Sequence, residues 1–412
     1  MKKNNLKVAL VHDFLVDFGG AERVFEVFCE MFPEAPIYTL LYDKDKMKGR
    51  FEKREIHTSF LQKFPRFLRN HKKWLLPFLP VAPETFDLRD FDLVISSSGA
   101  WSKGIITRLN TIHIAYIHSP MRFVWDYNSA KYLKENKKSK FGFCVQPFLN
   151  YLRIWDKQAA DRPDYIIANS KYTQKRIAKY YRREAEVIYP PVQQPLLPSG
   201  EGARRADEGS QDEEEISDNS KNSPQNNEPP SVSLRHLPPK GGEENSSYFL
   251  IVSRLSPYKR TDLAVKVFNK LNLPLVVIGD GEQKEYLQKI AKSNVKILGW
   301  KDDDEVARYL QEARAFVFPA VDDFGLTMIE AISVGVPVVA YREGGALEII
   351  KEGENGEFFN EQTAESLAGG VGRFIENEKK YNKEIIKQSV EKFSKEIFVE
   401  KLRGIIGNIE GL

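Results

Sequence analysis

Apolar residues in this chain gather into short, nearly unbroken runs, each stopped by a glycine or a polar residue. Five runs lie in the first half, at 7–12, 37–40, 92–96, 112–117 and 165–169. Five more lie in the second half, at 248–253, 275–279, 295–298, 315–319 and 338–341. Strands that are apolar on both faces belong to parallel sheets covered by helices on either side. Helical spacing follows several runs, over 23–31, 171–183 and 305–312, and from Leu326 onward. Another helix is expected near residue 261, with Thr261 or Asp262 as its cap. Strand, glycine-bearing loop and helix in alternation predict an α/β chain built of doubly wound domains.

Between the two series, residues 199–247 are Gly, Ser, Asp, Glu, Asn and Pro with almost no large apolar side chain. Such a stretch cannot bury enough surface to offset its ordering entropy, so disorder is expected there. The expected organisation is a first domain over 1–195, a linker insertion over 196–247 and a second domain over 248–388. The chain's 42% hydrophobic content is enough for two sizeable cores.

The charges nearly balance, 61 basic against 58 acidic, giving a net charge of +3. That argues against the dominant basic field of a nucleic-acid binder. Cys29 and Cys144 have no metal-ligand spacing and read as reduced and buried, which fits a cytoplasmic protein. His12 and Asp13 interrupt the opening apolar run too early for a signal-peptide core. No apolar run approaches the roughly 20 residues of a spanning helix.

Residues 60–80, FLQKFPRFLRNHKKWLLPFLP, interleave Lys63, Arg66, Arg69, Lys72 and Lys73 with aromatic and aliphatic side chains. One reading is a core helix whose basic side chains snorkel. The other is contact with an anionic membrane surface.

The candidate chemistry concentrates in 315–351, AFVFPAVDDFGLTMIEAISVGVPVVAYREGGALEIIK. Two strand–loop–helix units follow one another there, with small residues where helix N-termini would expose backbone amides. Such N-termini suit a phosphate. Asp322 and Glu330 flank Phe324-Gly325-Leu326 with seven residues between them. A loop carboxylate can accept hydrogen bonds from sugar hydroxyls, one on the helix can hold a ribose diol, and amides between them can face a diphosphate. Taken alone, the acids could equally be a surface loop before an ordinary helix. Upstream, Arg254 and Lys259 in RLSPYKR stand between a strand and a helix, as a diphosphate clamp would. Gly19 and Gly20, after the first strand, allow either tight helix-on-strand packing or a loop beside the reaction centre.

The run through 315–351 resembles the signature of retaining glycosyltransferases of family 4, which have the GT-B fold. An acid, seven residues and Glu330 surround Phe-Gly, and Gly335-Val336-Pro337-Val338-Val339 and Gly344-Gly345 follow, a match over roughly 30 residues. The family's first acid is usually Glu; here it is Asp322, with Asp323 beside it to share the role. The resemblance implies two Rossmann-like domains facing across a cleft, with the tail from residue 389 to 412 crossing back onto the first. It implies Arg254, Lys259, Gly325 and Leu326 on the donor's diphosphate, Glu330 on its ribose, and Asp322, Asp323 and Phe324 at the sugar. It places the Gly19-Gly20 loop near sugar and acceptor.

The run His118-Ser119-Pro120-Met121-Arg122-Phe123-Val124-Trp125-Asp126 resembles family 4 mannosyltransferases of O-antigen type. That likeness implies His118 as a sugar contact and GDP-mannose as donor. Transfer is expected without a metal or other cofactor, to a glycan or lipid-linked acceptor. The protein would then work in the cytoplasm or at the inner membrane face, in polysaccharide synthesis. An epimerase of the same fold and a non-catalytic nucleotide-sugar-binding partner are the rival readings.

Overall fold

The computed structural model describes residues 6–70, 72–126, 142–192 and 248–409. The expected linker insertion, 196–247, lies outside the described residues, as does the side chain of Cys144. The first sheet contains β1 (Val8–Leu15), β2 (Ile37–Tyr42), β3 (Ile56–Thr58), β4 (Leu93–Ser98), β5 (Ile112–Ile117), β6 (Tyr165–Ala168) and β7 (Glu186–Val187). Its order is β3-β2-β1-β4-β5-β6-β7. The second contains β8 (Tyr248–Val252), β9 (Leu275–Ile278), β10 (Val295–Gly299), β11 (Ala313–Phe318), β12 (Val338–Tyr341) and β13 (Gly356–Phe359). Its order is β10-β9-β8-β11-β12-β13. Every strand pair is parallel. The α/β expectation of two doubly wound domains holds.

The apolar runs form strands because helices cover both faces of each sheet. In β1, Val8 and Leu10 enter one core with Phe25 and Phe28, while Ala9 and Val11 enter another with Leu40 and Trp101. In β8, Tyr248 and Leu250 face one side and Phe249 and Ile251 the other. The period of two is therefore present, but with no polar face to reveal it.

Strand order reverses between β1 and β4 in the first sheet and between β8 and β11 in the second. Ligands of open parallel sheets bind at such switch points, beyond the carboxyl ends of the strands. The loops after β1 and β4 carry Gly19-Gly20 and Gly99, and the loops after β8 and β11 carry Arg254, Lys259 and Asp322.

The helix Lys395–Asn408 packs on the first domain. Its Phe398 and Leu402 are buried among Phe28 and Tyr116, with ring centroids 5.6 and 5.8 Å from Phe398. Lys395 pairs with Glu30 at its start. Burial of two such side chains contributes about 1.5–3 kcal/mol each, enough to hold the tail in place.

Segment 60–80 is not one helix. A tight turn over Phe60–Lys63 is followed by helices Arg66–Asn70 and Lys72–Leu75. Pro65 sets the break, since it has no N–H to continue the first turn. Leu61, Leu75 and Leu79 are buried, whereas Phe67 and Trp74 are 65% and 70% exposed. The segment thus has both a core face and an apolar outer face. Among the described residues, no helix is long and apolar enough to cross a membrane.

The helix Thr261–Leu271 lacks the expected cap. Arg260, in the left-handed region at φ 53°, precedes it without a side-chain cap bond, and the Thr261 hydroxyl is buried without a partner among the described residues.

Candidate active site

The two strand-end edges meet. Gly20 opens the helix Gly20–Met31, three residues earlier than the spacing suggested. A Cβ at Gly20 would lie 2.6 Å from Leu326 Cδ1 in the other domain. The glycine therefore matters less for packing on its own strand than for letting the first-domain loop approach the helix Leu326–Ser333. Gly325 precedes that helix at φ 100°, a conformation glycine adopts without strain. Gly345 is held just as tightly, because a Cβ there would collide with the Phe324 backbone.

Lys259 Nζ donates to the Asp322 carboxylate, and Arg122 Nη1 lies 3.7 Å from the other Asp322 oxygen. Burial would raise the Asp322 carboxyl, but the charges of Lys259 and Arg122 outweigh it and hold the value below normal. Glu330 accepts a 2.5 Å hydrogen bond from Arg23 Nη1 of the first domain, while Arg23 Nη2 reaches Asp303 at 2.8 Å. Burial raises the Glu330 carboxyl, and Arg23 opposes this only in part. Arg254 stands exposed at the carboxyl end of β8 and makes no ion pair among the described residues. It shares a sheet edge with Lys259 and Gly325, and among the described residues no hydrogen bond or ion pair joins it to either.

Asp323 and Phe324, expected beside the donor sugar, are engaged elsewhere. Asp323 accepts from Arg122 Nε at 2.8 Å and from Arg176 Nη1, both in the first domain. Arg176 also donates to both oxygens of Asp126 at 2.9 Å. Phe324 is buried and stacks on Tyr189, with centroids 5.7 Å apart. The Ser170 hydroxyl donates to the Asp323 carbonyl at 2.6 Å. Glu348 of the second domain accepts from the Lys171 and Tyr172 amides at 2.8 and 2.9 Å, at the N-terminus of the helix Lys171–Tyr180. These contacts form a latch between the domains.

On the first domain, His118 Nε2 lies 2.8 Å from Ser97 Oγ, which lies 3.1 Å from His12 Nδ1. His12 Nε2 is 3.3 Å from Glu22, and Glu22 accepts from the Gly19 amide at 2.9 Å. The network thus joins the candidate histidine to the glycine loop. Asp13 fixes its floor by accepting from the amides of Gly99, Ala100, Trp101 and Ser102 at 2.6–3.1 Å. Burial would raise the Glu22 carboxyl, yet the hydrogen bond and charge of His12 bring it below normal. The sequence reading missed His12, Asp13, Glu22, Ser97, Arg23 and Arg176 as site-shaping residues. The available signal was a histidine and an aspartate breaking the apolar run of β1 at its carboxyl end.

His118 is pushed down to about 4, chiefly by burial and then by nearby His12. His113, wholly buried, is pushed down to about 3 by burial. Both are neutral at pH 7. A histidine whose folded value lies below its free value stabilises the fold fully above about 6.5, and that stability is lost as pH falls. Unfolding free energy should drop between pH 6.5 and 4, by up to about 3 kcal/mol for His118. Urea denaturation at stepped pH checks this. His118→Gln, which cannot titrate, should give a shallower fall, and an unchanged slope would contradict the assignment.

Among the described residues, no group of three His, Cys, Asp or Glu side chains is arranged to hold a metal ion.

Two family profiles match the chain. "Glycosyltransferase Family 4" covers residues 18–194, and "Glycosyl transferases group 1" covers residues 235–391. The chain is 21% identical to the uncharacterized glycosyltransferase MJ1178 of Methanocaldococcus jannaschii, over 96% of this chain and 95% of that one. It is 25% identical to the GDP-mannose-dependent alpha-(1-6)-phosphatidylinositol monomannoside mannosyltransferase of Mycolicibacterium smegmatis, over 35% of this chain and 48% of that one. Several curated relatives are matched over less than half their own length. The crystal structure of Anabaena HepE in complex with UDP and glucose superposes with a TM-score of 0.63 at 17% identity, covering 98% of this chain and 100% of that one. The paired profiles and the shared architecture make this chain a family 4-like glycosyltransferase of the GT-B fold.

Proposed function

We propose that the protein transfers a mannosyl group from GDP-mannose to a glycan or lipid-linked acceptor with retention of configuration, in cell-surface polysaccharide synthesis. The observation that carries this reading is the meeting of Gly20 with Leu326 beside the Lys259–Asp322 pair. It sets the phosphate-suited helix end at Leu326 against the first domain's glycine loop, with Lys259 held on Asp322 just ahead of that helix. The mannosyl donor is supported by the O-antigen-type run at His118 and by the named donor of the mycobacterial relative.

The present contacts suggest how the donor enters. Its diphosphate takes the place of Asp322 as counter-ion to Lys259, with Arg254 and the amides at Gly325 and Leu326 completing the clamp. Those cations and dipoles stabilise the leaving diphosphate electrostatically, so metal-independent transfer is proposed. Asp322, released, accepts from sugar hydroxyls, and neutral His118 contacts the sugar. Glu330 exchanges Arg23 for the ribose diol. The bond from the anomeric carbon to phosphate oxygen breaks while the acceptor oxygen bonds on the same face. The acceptor's hydroxyl proton passes to the departing phosphate. The exposed Phe67 and Trp74 and their basic neighbours suit peripheral contact with an anionic membrane.

The test is a thermal-shift screen with GDP-, UDP- and ADP-sugars. GDP-mannose should stabilise most, by about 2.7 kcal/mol at one hundred times its dissociation constant. A larger shift with a UDP- or ADP-sugar would overturn the donor assignment.

A further inference from the structure

We infer that a separate pocket on the first domain binds a phosphate group of the acceptor; this rests on the transferase reading above. A cavity of about 330 Å³ opens beyond the carboxyl ends of β1 and β2, lined in part by Val16, Asp17, Tyr42, Asp43, Arg66 and Arg69. Its wall is a built one. The Gln62 side chain donates to the Tyr42 carbonyl at 2.9 Å and accepts from the Tyr42 amide at 3.0 Å, clamping that strand end.

Most charges around the cavity already have partners. Lys46 pairs with Asp17 at 3.3 Å, Lys44 with Glu52 at 3.5 Å, and Asp43 accepts from the Lys46 amide at 3.2 Å. Asp45, also on the lining, is exposed and screened by solvent. What remains is a set of donors. The Tyr42 hydroxyl and Arg69 Nε are shielded from solvent and have no hydrogen-bond partner among the described residues. Arg66 is exposed and makes no ion pair among the described residues. Buried polar groups without partners are uncommon in folded proteins and call for an occupant. Two guanidinium groups with a phenol hydroxyl are the donor set that a phosphate oxyanion takes.

Position separates this anion from the donor's diphosphate. Asp17 lies two residues before Gly19, so the cavity adjoins the glycine loop on the first domain, whereas Lys259 and Gly325 belong to the second. Phe67, 65% exposed, follows Arg66 directly, and Trp74 adds a second exposed aromatic on the same segment. Phosphate donors beside an outward apolar surface suit an acceptor whose phosphate joins a glycan to a lipid. A water-soluble phosphate shares the same anion chemistry.

The test is calorimetric titration of the full chain with inorganic pyrophosphate and with farnesyl diphosphate, in saturating GDP so that the donor site is filled. Arg69→Gln should weaken binding of both probes about tenfold or more, and Tyr42→Phe about threefold. GDP-mannose binding should be unchanged in both variants, which also reports that they fold. Tighter binding of farnesyl diphosphate than of pyrophosphate identifies a lipid-borne phosphate; equal binding identifies a soluble one. Failure of the wild type to bind either probe, or binding untouched by both substitutions, would overturn the pocket. Failure of the wild type to bind any nucleotide sugar would sink the transferase reading instead, because the pyrophosphate titration reads this pocket independently.

Discussion

Replacing Asp323 with alanine should destabilise the protein by about 3 kcal/mol, the largest loss expected from a single change at the domain junction. The carboxylate is 8% exposed and neutralises two arginines that cross from the first domain, Arg122 and Arg176. Removing one partner of a buried ion pair costs roughly 3–5 kcal/mol because the remaining charge is stranded. The lower end applies here. Arg176 keeps both oxygens of Asp126 at 2.9 Å, and Arg122 keeps the Val321 carbonyl at 3.1 Å. Asp323→Asn, which retains an acceptor but not the charge, should fall between wild type and alanine. Urea denaturation at pH 7 measures all three. A loss below about 1 kcal/mol would place the cluster among solvated surface pairs, which contribute little.

Lys259→Ala should lower kcat/KM for sugar transfer by about 10²–10³-fold, the range seen when one electrostatic stabiliser of a developing anion is removed. Lys259 already sits against Asp322, so its ammonium is positioned before the donor arrives and needs no rearrangement during reaction. Among the described residues, its removal leaves Asp322 with Arg122, at 3.7 Å, as its one cationic partner. Part of the effect will therefore appear as misplacement of the sugar. Lys259→Arg should recover activity only partly, because a planar fork does not reproduce a compact ammonium. Steady-state kinetics separate the two contributions. A fall in kcat reports lost stabilisation of the leaving group, and a rise in KM alone would report lost ground-state binding.

Much of the fold was legible because parallel strands buried on both faces write themselves as continuous apolar runs. Ten of the strands carry such a run. The edge strands β3 and β13 do not: Ile56–Thr58 is three residues long, and Gly356–Phe359 opens Gly-Glu. β7, Glu186–Val187, is only two residues long. The helix start at Gly20 was placed late because two glycines argue locally against a helix that the domain contact favours.

The site was legible where it is local. Lys259 and Asp322, each singled out within its own strand–loop–helix unit, meet because their loops leave adjacent strands, β8 and β11. The latch was not legible. Asp322 and Asp323 are consecutive, yet one turns to Lys259 in its own domain and the other to Arg122 and Arg176 in the first. Nothing in a pair of adjacent acids reveals that division, and the arginines are 147 and more positions away in sequence. Arg176 sits in a helix rich in basic residues and reads as solvated, whereas the partner domain leaves it only 6% exposed.

Calorimetric titration of GDP-mannose in the presence of EDTA, with wild type and Lys259→Ala side by side, tests the diphosphate clamp most directly. Wild type should bind without any divalent cation, and the variant should bind at least about tenfold more weakly. Binding that requires an added divalent cation, or equal affinity in the two proteins, would contradict a diphosphate held by Lys259, Arg254 and the main-chain amides at Gly325.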